Sequence, residues 1–281
     1  MKGFSALQFS QSSLQDYLTC PRRFELRYGQ RLAWPAVESE PVAERERLAR
    51  LGTDFHRLVH RHILGLDEAS LAASIGDEVL REWWERYLTY RPPEIAAPQA
   101  RLLPEITLSA ALDGYRLIAK LDALLKMPGG DFLIVDWKTS PRPPAPEKLQ
   151  ARMQTRLYRY LLAAGGAALN DGQAIAPARI TMLYWFTAEP ARAVRFPYNA
   201  PQFEADRTFL RAALSEIEAR LEAQDFPLTA ELRHCRYCVY RSYCDRGERA
   251  GSLDEETPDF EDAEDLSDLM LDWGQVQEIA Y

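Results

Sequence analysis

The sequence predicts a mixed α/β domain, a central sheet with helices before, between and after its strands. Three observations carry that expectation. Residues 44–63 repeat apolar side chains at helical spacing. Three short apolar, β-branched runs then follow one another between 103 and 138 with turn residues between them. A second helical stretch separates these from two further strand-like runs.

Taken in order, segment 10–29, "SQSSLQDYLTCPRRFELRYG", opens on helix-capping serines, and Pro21 breaks or restarts the helix. Leu48, Leu51, Phe55, Leu58, Val59 and Ile63 form one stripe along 44–63. Residues 66–90 read as another helix, closed by "RPPE". Segments 103–111, 115–127 and 131–138 read as strands, and the turn-like "LDGY" and "MPGGD" between them predict a meander of hairpins. A helix over 147–164 ends at Gly165-Gly166, as helix C-termini favour. "ARITMLYWFT" and "ARAVRFPY" supply two more strands, and 201–224 is a long helix. The expected division is one domain over 1–250 and a tail over 251–281, poor in apolar residues until "LSDLMLDW" and expected to be disordered.

A hydrophobic fraction of 47% with 27% charged residues is the make-up of a globular chain with a sizeable core. No run reaches the ~18 apolar residues of a membrane span, and "MKGFSALQFSQSS" lacks the apolar block of a signal peptide. A cytoplasmic protein without a membrane role is expected, its four cysteines reduced. The net charge of −8 hides an asymmetry. Setting aside the eleven acidic residues of 251–281 leaves residues 1–250 at +3, a balance compatible with a nucleic-acid partner without demanding one. The acidic tail solubilises the protein, competes with DNA for a basic groove, or docks on a partner.

Chemistry concentrates in "LIVDWKTS", residues 133–140. Strand alternation puts Asp136 and Lys138 on one face and sends Trp137 into packing on the other. Asp122 interrupts the apolar "LIAKLDALL" of the preceding strand, so two carboxylates and an amine can converge. Such a pair of acids is costly to bury unless a cation compensates, and hard oxygen ligands suit Mg²⁺ or Mn²⁺. The plainer alternative pairs Asp122 with Lys138 and leaves Asp136 to cap the following turn. His56, four residues after Gly52 on one helix face, could complete a metal shell; His60 and His62 read as structural. Gln154 and Tyr158 share a face of the helix after the strand, with Arg152, Arg156 and Arg159 nearby as phosphate contacts or a solvated basic face.

The cysteines form a second pattern. "CRYCVYRSYC" spaces Cys235, Cys238 and Cys244 as C-x2-C-x5-C, and Cys20 lies in "TCPRRF" near the other end. Clustered thiolates in a reducing compartment point to zinc or an iron–sulfur cluster, and spacing does not separate the two. With Cys20 as the natural fourth ligand, the metal would staple the helical ends of the chain together.

In this order, Gly-x-x-x-His, Asp, Asp-x-Lys and Gln-x-x-x-Tyr resemble the PD-(D/E)xK nuclease superfamily, in particular the branch of the RecB and AddB nuclease domains and the CRISPR-associated exonucleases. "GTDFH" matches at His56, "KLDALL" at Asp122, "VDWKT" at Asp136 and Lys138, and "QTRLY" at Gln154 and Tyr158. The glycine that branch prefers three residues before the first acid is Ala119 here. The resemblance spans about 8–246. It implies a restriction-endonuclease-like core and DNA hydrolysis with Mg²⁺ or Mn²⁺ held by His56, Asp122 and Asp136, the Trp137 carbonyl a further ligand. Lys138 would position or activate the attacking water, and Gln154 and Tyr158 would support the lysine or the scissile phosphate. It also implies a [4Fe–4S] cluster, rather than zinc, on Cys20, Cys235, Cys238 and Cys244. The expected substrate is DNA, single-stranded or with a free end, degraded as an exonuclease in DNA repair, recombination or CRISPR adaptation. No helicase motif is present, so a helicase or CRISPR adaptation protein is the expected partner. The other readings are a non-catalytic Fe–S DNA-binding scaffold of a helicase–nuclease and a zinc-stapled interaction protein.

Overall fold

The computed structural model describes residues 8–32, 40–236 and 238–247. The tail expected over 251–281 lies outside them. Among the described residues six strands form one sheet: β1 (Gln8–Phe9), β2 (Arg101–Leu112), β3 (Tyr115–Lys126), β4 (Phe132–Lys138), β5 (Ile180–Phe186) and β6 (Val194–Pro197). β2, β3 and β4 make the expected antiparallel meander. β5 then runs parallel to β4, and β6 antiparallel to β5. A parallel neighbour requires a crossover, which the helical stretch between β4 and β5 supplies. β1, too short to leave a pattern in the sequence, pairs in parallel with the start of β3.

Helices cover both faces. α1 (Gln11–Thr19), α2 (Pro21–Phe24), α6 (Pro146–Ala151), α7 (Met153–Gly165) and α8 (Ala200–Ala223) bury Leu14, Phe24, Leu149, Leu161 and Leu214 against Leu121 and Ile134. α3 (Glu40–Ile63), α4 (Glu68–Ala73) and α5 (Glu78–Tyr90) close the other face, where Phe55, Trp83 and Tyr87 meet Val135, Trp137 and Trp185. A strand sandwiched in this way has no solvent face, so β4 is buried at every position and is apolar throughout except at Asp136 and Lys138. No helix among the described residues is long and apolar enough to cross a membrane.

Two expected helices are each divided. The stretch 66–90 breaks around Gly76, and Asp77 caps α5 by accepting from the Val79 and Leu80 N–H groups. The stretch 147–164 breaks at Arg152, whose ψ of 147° leaves the helical region. Pro21 restarts the first helix as expected, with Cys20 at the junction of α1 and α2.

Side-chain alternation slips once, at a place that matters. Leu117, Ala119 and Leu121 of β3 face the α7 side, but Ala123 and Leu125 face α3. Across the ladder Pro104 pairs with Ala123 and Ile106 with Leu121, and Glu105 between them has a φ of 47°. A left-handed residue other than glycine costs roughly 1–2 kcal/mol. Asp122 sits at this kink.

Gly165 ends α7 where the helix touches β2. A Cβ there would collide with the backbone carbonyl oxygen of Ser109, and neither backbone can yield without lifting the helix from the sheet. Gly165→Ala is therefore expected to destabilise by about 1–3 kcal/mol, the usual range for overpacking. The check is a lower melting temperature with unchanged secondary structure by circular dichroism.

Candidate active site

His56 comes from α3. Its neighbour Phe55 is fully buried, stacked on Trp185 at 6.1 Å and edge-on to Tyr87. This anchor fixes the rotation of α3, so the imidazole meets the kink in β3. His56 Nδ1 lies 3.1 Å from Asp122 Oδ1. Asp122 Oδ2 accepts from the Trp137 N–H at 2.9 Å. The β3–β4 ladder ends at Ala123 and Val135, and beyond it the carboxylate takes the place of a backbone acceptor. Burial alone would push the Asp122 carboxyl up. The His56 imidazole, with the Trp137 N–H and Lys138, outweighs that and holds it below the usual carboxylate range.

Asp136 and Lys138 leave β4 together on the α7 side, 2% and 3% exposed, with Nζ 3.2 Å from Asp136 Oδ2. Trp137 points the other way into the aromatic packing, 5.4 Å from Tyr87 and edge-on. Gln154, in the first turn of α7, donates through Nε2 to Asp136 Oδ1 at 2.8 Å and Oδ2 at 3.2 Å. Tyr158, one turn further, is buried beside Gln154. Burial and then the Asp136 charge hold its hydroxyl protonated well beyond the ordinary tyrosine range. Its surroundings include Asp122, Asp136 and Lys138 together, so all six expected residues border one locus.

The structure distributes their contacts in its own way. Asp122 pairs with His56, and Asp136 with Lys138 and Gln154. His60 and Lys120 both reach Glu105, at 3.4 and 3.0 Å, while His62 joins Tyr87 and Glu68. Of the arginines offered as phosphate contacts, Arg156 and Arg159 are engaged by the buried Asp206, at 3.0 and 3.8 Å. Residues that sequence spacing did not single out also line the locus. Tyr184, the register partner of Asp136 on β5, reaches Gln154 with its hydroxyl, and Thr155 stands next to it. Only strand pairing exposes that neighbour.

Among the described residues no three His, Cys, Asp or Glu side chains stand ready-formed around one metal position. The donor chemistry nonetheless suits a hard divalent cation. One imidazole and two carboxylates beside a single lysine are the nitrogen and oxygen donors such a cation takes.

Cys20 is buried at the α1–α2 junction, and Cys235, Cys238 and Cys244 come from the segment after α8. None of the four forms a disulfide. Burial raises the thiols of Cys235, Cys238 and Cys244, and each also feels the charge of Cys20. Arg22, Arg23 and Arg246 stand close by and work in the opposite sense. Hydrogen bonds already tie these ends: Arg22 N–H to Pro227 O at 3.2 Å, and the Tyr240 hydroxyl to Leu32 O at 2.8 Å.

The sequence matches the family model described as the PD-(D/E)XK nuclease superfamily over residues 8–245. No curated protein matches it. Among solved structures, a candidate exonuclease from Eubacterium rectale is 12% identical with a TM-score of 0.49, covering 80% of this chain and 85% of its own. The crystal structure of SSO0001 is 11% identical with a TM-score of 0.37, covering 87% of each chain.

Proposed function

The chain belongs to the PD-(D/E)XK nuclease superfamily, and we propose that it is a metal-dependent deoxyribonuclease acting on single-stranded DNA from a free end. The observation that carries the site assignment is the buried Asp136–Lys138 pair, held by Gln154 next to the His56–Asp122 pair. A fold has little structural use for this much charge buried in its central strand.

Asp122, Asp136 and His56, with the Trp137 carbonyl, would hold Mg²⁺ or Mn²⁺. When bound, the cation supplies Lewis acidity toward water and the phosphate oxygens. The protein's own groups do the rest. His56 and the Trp137 N–H fix the two Asp122 oxygens. Gln154 fixes those of Asp136. The Lys138 ammonium, fastened to Asp136, orients the attacking water or meets the charge that develops at phosphorus. Tyr158 stays protonated at any working pH and serves as a hydrogen-bond donor.

Cys20, Cys235, Cys238 and Cys244 carry, in this reading, a [4Fe–4S] cluster that clasps the chain ends. An all-sulfur donor set supports it, and Arg22, Arg23 and Arg246 beside these cysteines suit the negative charge that such a cluster brings. The preference for single strands, action in repair or CRISPR adaptation, a helicase or adaptation protein as partner, and a cytoplasmic setting rest on the likeness of the motif set to RecB-like and CRISPR-associated exonucleases.

The test is degradation of end-labelled single- and double-stranded DNA with Mg²⁺ or Mn²⁺ by wild type and Lys138→Ala. Metal-dependent loss of the label from single strands is expected, reduced by about two orders of magnitude or more in the variant. Wild type that binds DNA and cleaves none of it would replace the nuclease with the scaffold.

A further inference from the structure

Gln154 poses a question of orientation. Its amide must turn Nε2 toward Asp136, because the opposite rotamer would set Oε1 against a carboxylate. In a buried site something has to enforce that choice. Tyr184 is in place to do so on the Oε1 side of the amide. Its hydroxyl donates to Gln154 Oε1 at 3.3 Å and lies 2.8 Å from Thr155 Oγ1. Thr155 Oγ1 itself donates to Leu149 O at 2.5 Å, so the proton between the two hydroxyls belongs to Tyr184, which shares it between Thr155 and Gln154. The Tyr184 ring lies in register with Asp136, 5.7 Å from the Lys138 ammonium. Tyr184 and Thr155 are both fully buried, so no water competes for this proton.

We propose that Tyr184 is a positioning residue for the metal site: its hydroxyl locks the Gln154 amide, and through it the direction in which Asp136 presents its oxygens. The inference rests on the metal-nuclease reading. Groups that orient a ligating carboxylate are worth about 10–100-fold in metal affinity or activity. Thr155 has the contrary part. It draws the Tyr184 proton away from Gln154, so removing its hydroxyl should release that proton to the amide.

The experiment is Mn²⁺ binding by isothermal titration calorimetry, without DNA, for wild type, Tyr184→Phe and Thr155→Val, with melting temperatures for each. Both substitutions keep shape and delete buried hydrogen bonds, so both should lower the melting temperature somewhat. Tyr184→Phe is expected to weaken Mn²⁺ binding by about 10-fold or more, and Thr155→Val to keep wild-type affinity or improve on it. Unchanged affinity in Tyr184→Phe would overturn the inference. So would weakening in both variants in proportion to their lost stability, the signature of a purely structural role. Wild type that binds no Mn²⁺ would overturn the metal-nuclease reading, and this inference with it.

Discussion

Asp136→Asn is expected to abolish metal-dependent cleavage, with a loss of at least about 10²–10³-fold, the scale on which sites lose activity when one charge-bearing group is removed. The substitution keeps an oxygen for Gln154 and nearly the same volume. What it deletes is the negative charge that both a divalent cation and Lys138 require. Lys138 is 3% exposed, and removing one partner of a buried ion pair costs on the order of 3–5 kcal/mol in stability. Lost activity must therefore be separated from lost fold. Asp136→Asn combined with Lys138→Met removes both charges and should recover much of the melting temperature while recovering no cleavage. Near-wild-type cleavage by Asp136→Asn would end the assignment of this carboxylate as a metal ligand.

The second large effect is expected at the cysteines. Replacing Cys20 by Ser should lower iron content and melting temperature together, and Cys235→Ser, Cys238→Ser and Cys244→Ser should do the same. A metal shared by residues from opposite ends of a chain ties its binding energy to folding. Among the contacts that otherwise join these ends, the Arg22–Pro227 and Tyr240–Leu32 hydrogen bonds and the Phe24–Phe226 ring pair are worth about 1 kcal/mol each. They cannot replace it. A loss of several kcal/mol corresponds to a fall on the order of 10 °C for a domain of this size. Iron per chain by inorganic analysis and the visible absorbance of anaerobically purified protein report the metal; calorimetry reports the fold. A Cys20→Ser protein with full iron and an unchanged melting temperature would place the fourth ligand elsewhere, and zinc in place of iron would make the staple a different one.

By itself the sequence determined the order of elements, because each segment that packs must bury a face and so must repeat apolar residues at its own period. The meander over residues 101–138, the α3 stripe and the strand at β5 were all legible for that reason. Shared faces in the candidate site were legible from spacing: Asp136 with Lys138 along a strand, Gln154 with Tyr158 along a helix. Arg152 was not legible as a break, since nothing in its chemistry forbids a helix and the turn toward Asp136 is imposed by packing. The kink at Glu105 was equally hidden. A glutamate has no intrinsic preference for a φ of 47°, and only the sheet around it holds that conformation and places Asp122 against His56. Tyr184 lies far from Asp136 in the chain and next to it in register. Local sequence fixes which way a side chain points along its own element, whereas neighbours across a sheet are chosen by strand pairing, a property of the whole fold.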